Sequence, residues 1–176
     1  MSHMRGKHSG EPKAQTKWKE LVLYQALQKA GVVFEYQRHI PFKACDLDSE
    51  RTCAYVDFVI PRPWGYVVLE CDEDQHRKRP PECDARRDFD IAESVARGSN
   101  DALMVVRYNP DKHRVDGIVR APGHEHRMKR LLETINHTPA AFERLFLFYD
   151  HASSSTLPQV AAAWDPAACQ ASRVVE

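Results

Sequence analysis

Hydrophobic and polar positions alternate most clearly between Tyr55 and His76, in the run YVDFVIPRPWGYVVLECDEDQH. Strand side chains point to opposite faces in turn, so Tyr55, Asp57 and Val59 are expected on one face and Val56, Phe58 and Ile60 on the other. After a turn built from Pro61, Arg62, Pro63, Trp64 and Gly65, a return strand carries Tyr66, Val68, Glu70 and Asp72 on one face and Val67, Leu69 and Cys71 on the other. A hairpin symmetric about Pro63 and Trp64 sets Asp57 across from Glu70, with Asp72 one pleat further along. Before this hairpin, a helix is expected from an N-cap at Thr16 to a C′ residue at Gly31. At about 100° per residue, Leu23, Tyr24, Ala26, Leu27 and Ala30 form one arc, and Glu20 lies within it. Val32 to Ile40 then reads as a strand and Pro41 to Arg51 as a polar loop.

Beyond the hairpin, Glu73 to Pro81 is a charged loop. Pro81 suits the first turn of a helix; this helix runs to Ala96 with Ala85, Phe89, Ala92 and Ala96 on one stripe, and Gly98, Ser99 and Asn100 stop it. Ala102 to Arg107 is apolar until its last residue, as expected of a strand covered on both faces. Asp116 and Gly117 offer a hairpin turn, a basic amphipathic helix follows over Glu125 to Asn136, and Arg144 to Tyr149 reads as a last strand. The order predicts an α/β domain with a mixed central sheet flanked by helices, over residues 16–150. Residues 1–15, opening on a Ser-His-Met vector scar, and 151–176, rich in Ser, Ala and Pro, read as flexible tails.

Composition changes this picture only through its distribution. Lys plus Arg and Asp plus Glu number 25 each, so net charge points to no partner. The acids Asp46, Asp48, Glu50, Asp57, Glu70, Asp72, Glu73 and Asp74 crowd the centre, whereas 107–130 and the stretch before Glu20 are basic. Acidic centre and basic flanks suit an enzyme holding a cation and a polyanion together. No long apolar run suggests a membrane span. The five cysteines contain no CxxC pair, which reads as an intracellular, soluble chain with reduced thiols. A zinc site from Cys45, Cys53, Cys83 and a histidine is an alternative use of them.

Converging carboxylates repel one another unless a hard divalent cation neutralises them. Asp57, Glu70 and Asp72 are the expected cluster; the plainer reading of the same acids is a solvated strand face or acids paired with Arg and Lys. Glu20, an acid on a core-facing stripe, either leans toward that cluster or is a helix-start acid favoured by the dipole. Trp64 at the hairpin tip has two uses, capping the core or stacking on a base.

These residues resemble the PD-(D/E)XK, or restriction-endonuclease-like, superfamily. Asp57 stands at that family's first metal-binding acid and Glu70-Cys71-Asp72 at its (D/E)XK tripeptide, with Asp72 in place of the lysine. Glu73-Asp74-Gln75-His76-Arg77 is similar to the EDxHD signature of phage homing endonucleases, relatives of very-short-patch repair nucleases, with Arg77 departing at the fifth position. ECDEDQH, Cys83 to Arg87 and RYNPD at Arg107 to Asp111 resemble proteins of large DNA viruses and algae, over most of residues 33–150. The resemblance implies a three-layer core and an Mg²⁺- or Mn²⁺-dependent endonuclease acting on DNA, or on RNA, as a monomer or homodimer. It implies that Asp57 and Glu70 hold the cation, helped by the Cys71 carbonyl and Asp72, and that His76 is the base. Asp74 would orient His76 or reach the cation through water; separately from the resemblance, a Glu20 that leans toward the cluster would be a metal or water ligand. Arg77, Lys78, Arg79, Arg86 and Arg87 would meet the nucleic acid and stabilise developing charge. Asp72 and Arg77 also fit a nuclease-like module that binds nucleic acid without cutting it, and the cysteines fit a zinc-stabilised interaction domain.

Overall fold

The computed structural model describes residues 18–41, 53–76, 87, 88, 90, 91, 94, 102–139, 142–152 and 172–175, with the backbone alone for His76 and 172–175. Helix α1 (Trp18–Lys29) leads to strand β1 (Glu35–Pro41) and to the hairpin of β2 (Cys53–Arg62) and β3 (Gly65–Cys71). A short 3-10 turn at Glu73–His76 follows, and residues 87, 88, 90, 91 and 94 are helical. Then come β4 (Ala102–Tyr108), the ribbon β5 (His113–Val115) and β6 (Ile118–Arg120), helix α2 (His124–Asn136), β7 (Phe142–Leu147) and β8 (Ser172–Val175). Six strands form one mixed sheet in the order β1-β2-β3-β4-β7-β8. The first three are antiparallel neighbours, and β3, β4, β7 and β8 run parallel.

The two faces of this sheet carry separate cores. Leu23 and Leu27 of α1 and Met128, Leu131 and Ile135 of α2 pack with Phe58, Ile60, Val67, Leu69, Met104, Val106, Leu145 and Leu147. Ile91 packs on the opposite face with Val56, Val59, Val68, Leu103 and Val105. Strands β3 and β4 are therefore buried on both sides, which is why their sequences read as almost unbroken apolar runs. Trp64 lies partly buried against the first core, the capping use expected of it.

Local chemistry accounts for the boundaries. Gly31 is left-handed at φ +71, its amide donates to Gln28 O and the Val32 amide to Leu27 O. That pair of bonds is a Schellman closure with Gly31 at C′. Gly65 has φ +144, and a Cβ on it would lie 2.0 Å from the Ala102 carbonyl oxygen, so only glycine lets β3 begin against β4.

Three expectations shift. Val32 to Phe34 are not in a strand; Val32 and Phe34 instead lean on the first core before β1 begins. Val56 belongs to the face of Val59 rather than that of Phe58, so the alternation in β2 breaks around Asp57. Ser172–Val175, within the stretch read as a tail, pairs in parallel with β7. The stripe residues Ala85, Phe89, Ala92 and Ala96 lie outside the described side chains, as do Cys45, Cys83 and Cys169; Cys53 and Cys71 are free thiols.

Candidate functional site

The hairpin register pairs Phe58 with Leu69 and Val59 with Val68 and stops there, one residue short of Asp57 and Glu70 at the end of the ladder. Asp57 Oδ2 accepts the Cys71 amide at 2.9 Å, and this bond closes the end of the ladder. On its other side Asp57 faces Gln37 between the registered pairs Tyr36–Phe58 and Arg38–Val56. Gln37 is left-handed at φ +49, so both strands are irregular at one level. The irregularity carries Gln37 to Glu20, whose Oε1 accepts Gln37 Nε2 at 3.1 Å and Tyr36 Oη at 2.6 Å. Glu20 is buried, so the acid on the apolar stripe of α1 leans inward rather than into solvent.

Charge crowding follows from this geometry. Burial, then the negative charge of Glu20, pushes the Asp57 carboxyl up to about 6 against the opposing Cys71 hydrogen bond. Glu70 is pushed to about 8, first by burial; Arg87 opposes the rise, and Asp57 and Asp72 add to it. Arg87 Nη1 lies 2.7 Å from Glu70 Oε1, and Nη2 donates to the Tyr55 carbonyl at 2.6 Å. A guanidinium on the crossover segment thus occupies one oxygen of Glu70.

Asp72 has a different environment from the one its spacing suggests. Its carboxylate accepts two bonds from Arg107, at 2.5 and 2.9 Å, and one from Tyr149 Oη at 2.5 Å. Arg107 also donates to Asp88 at 2.7 Å, and Asp88 accepts Arg144 at 2.6 Å. All four charged groups are buried. The expected trio of Asp57, Glu70 and Asp72 is thereby corrected: Asp72 contributes charge to the cluster, but its oxygens belong to an ion-pair network that ties β3 to β4, β7 and the crossover segment. A buried arginine in an apolar strand needs an acid, so Arg107 in ALMVVR was the available signal for this network.

The turn after β3 is strained. Asp74 (φ 52, ψ 32) and Gln75 (φ 56, ψ 23) are consecutive left-handed residues without glycine, a conformation costing about 1–2 kcal/mol each. Two distant loops hold it. Asp111 Oδ2 accepts the Asp74 amide at 2.9 Å, while its Oδ1 meets Lys19 Nζ at 2.5 Å. Gln75 and Asp150 exchange reciprocal bonds of 2.9 and 2.7 Å. Asp111 itself is fixed by Asn109, whose Oδ1 accepts the Asp111 amide, and by Arg127, which donates to the carbonyls of Asn109, Asp111 and Pro122. The RYNPD segment is thus a brace for the EDQH turn. Asp111→Ala should cost about 1–2 kcal/mol, the loss of an ionic acceptor with two partners, and should speed amide exchange at Asp74 and Gln75 more than elsewhere; thermal melts with amide-resolved hydrogen exchange check both.

The side chain of His76 and all of Arg77, Lys78, Arg79 and Arg86 lie outside what is described. The exposed Asp74 contributes its backbone amide to the brace described above. Among the described residues, no group of three or more His, Cys, Asp or Glu side chains converges on one metal position. Asp57 and Glu70 nevertheless suit Mg²⁺, which takes one or two carboxylates and completes its shell with water and substrate phosphate. Two neighbouring acids whose carboxyls are pushed up first by burial, and then by nearby negative charge, are the donor chemistry such an ion neutralises. Comparison with family models, curated proteins and solved structures gives no match to this chain.

Proposed function

We propose that the chain is a metal-dependent endonuclease that hydrolyses DNA phosphodiester bonds on a three-layer restriction-endonuclease-like core. The observation that carries the reading is the electrostatically linked pair Asp57 and Glu70 at the end of the β2–β3 ladder, both shifted toward neutrality by burial and nearby charge, where a braced, strained turn begins. Helices on the first sheet face and Ile91 on the second support the layering. Asp57 and Glu70 would hold Mg²⁺ or Mn²⁺, and Glu20, linked to them by charge, would orient a water. When bound, the cation polarises the phosphate and offsets charge on the leaving oxygen. His76, at the end of the turn, accepts the proton of the attacking water, since an imidazole titrates near neutral pH. Arg87 exchanges its bond to Glu70 for a phosphate oxygen and meets the charge that a lysine at position 72 would otherwise have met.

Engagement of Asp72 by Arg107 favours a second reading, a nuclease-like module that binds DNA without cutting it. Calorimetric titration of Mn²⁺ into the metal-free protein separates the two. One binding event, abolished by Asp57→Asn and by Glu70→Gln, is expected of the nuclease; absence of binding in the wild type favours the binding module.

A further inference from the structure

We propose that the β5–β6 ribbon is the element that enters the major groove of duplex DNA and sets the duplex against the candidate site. The proposal rests on the nuclease reading above and names how that site meets its substrate. Every residue of β6 is exposed, and Ile118 and Val119 are 59% and 53% accessible. Apolar side chains this open, on a ribbon rather than in a core, contribute little burial to folding. Basic groups surround them: Lys112, Arg114 and Arg120 are all exposed, with Asp116 the acid at the turn. The register places Arg114 beside Val119 and His113 beside Arg120. Since His113 is buried, Arg114 and Val119 share the outward face. Arg114 has a 3.9 Å contact with Asp150, long enough to yield to a phosphate.

A lone two-stranded ribbon is marginal in water, but this one is held. Asp116 at φ 51 and Gly117 at φ 80 make a turn whose twist suits a hairpin. A third segment supports β5: His151 bridges Val115, its amide donates to the Arg114 carbonyl, and its carbonyl accepts the Asp116 amide. The ribbon is also fastened to the strained turn. Asp150 Oδ1 accepts both the Arg114 amide at 2.7 Å and Gln75 Nε2 at 2.9 Å, and Asp111, just before β5, accepts the Asp74 amide. The same two acids therefore fix the ribbon base and the EDQH turn. A groove about 12 Å wide admits a two-stranded ribbon with both faces against its walls, Arg114 and Val119 on the outward face and the exposed Ile118 and Arg120 on the other, arginines reaching phosphates and apolar side chains meeting thymine methyls.

The test is fluorescence anisotropy on a duplex of about 20 base pairs with Ca²⁺ in place of Mg²⁺. It compares wild type, Arg114→Ala/Arg120→Ala, Ile118→Ser/Val119→Ser and the distant charge control Lys29→Ala, each checked for folding by its melt. The arginine pair should bind about tenfold more weakly with a salt slope lower by about two, and the apolar pair should lose affinity at every salt concentration. In Mg²⁺, both should raise the DNA concentration needed for half-maximal cleavage and leave the saturated rate unchanged. Wild-type binding with both ribbon variants within about twofold of it overturns the ribbon proposal and leaves the nuclease reading standing. A change of oligomeric state in the Ile118/Val119 variant without a change in DNA affinity likewise overturns it, in favour of a protein contact. Failure of the wild type to bind any duplex overturns the underlying nuclease reading as well.

Discussion

Arg107→Met is expected to destabilise the protein by about 3–5 kcal/mol, the usual cost of removing one partner from a buried ionic network. At 1% exposure, Arg107 neutralises both Asp72 and Asp88, and neither acid can move to water without opening the sheet. Asp88 keeps Arg144, and Asp72 keeps the hydrogen bond from Tyr149. Burial, with the charge of Asp72 next, holds that phenol well above its ordinary range, so it remains a donor and cannot supply positive charge. For a chain of this size the melting temperature should fall by on the order of 10 °C. Converting Asp72 to leucine in the same background should recover much of the loss, because two apolar groups of similar volume replace the pair. The measurement is a double-mutant cycle of chemical unfolding midpoints; additive single effects would contradict a direct coupling.

Asp57→Asn should abolish cleavage, a loss of at least about 10³-fold, and yet stabilise the metal-free protein at about pH 8 by about 1–3 kcal/mol. The sign comes from the proton count. In the native chain Asp57 titrates at about 6, against 3.8 for an unperturbed side chain. Between those values the native state holds more protons than the unfolded state, so stability falls as pH rises through the window. Glu70, at about 8 against 4.5, extends the same fall to higher pH. Asparagine removes the repulsion from Glu20 and Glu70, and its carbonyl can still accept the Cys71 amide bond. The advantage of the variant should be largest above about pH 7 and vanish below about pH 4. Mg²⁺ should stabilise the wild type alone, since binding to the native state adds to stability only where a site exists. Melts over pH with and without Mg²⁺ check all of this; a variant less stable than the wild type at high pH would remove crowding as the cause.

The hairpin register was legible because it depends on local chemistry: Pro63 and Trp64 centre the turn, and the pairs then run outward from Arg62–Gly65 to Phe58–Leu69, next to Asp57 and Glu70. Gly31 was legible as a helix stop for the same reason. What escaped depends on distant partners. Asp72 looks like a ligand by spacing, and only Arg107 on the neighbouring strand, with Tyr149 beyond β7, shows it to be spoken for. The break in alternation at Asp57 arises from the irregular pairing with Gln37, which no periodicity reveals. Strand β8 is four residues in a stretch of Ala, Ser and Pro, too short for a pattern to separate from a tail. Glu20 was readable as an anomaly on an apolar stripe, and its inward lean needed the positions of Tyr36 and Gln37.

Cleavage of supercoiled plasmid and of single-stranded DNA with Mg²⁺ and with Mn²⁺, comparing wild type with Asp57→Ala and His76→Ala, tests the central claim most directly. Metal-dependent cutting by the wild type, lost in Asp57→Ala and reduced by about 10²–10⁴ in His76→Ala, is the expected result. Equal activity in all three proteins, or no cutting by the wild type with either metal, would contradict it.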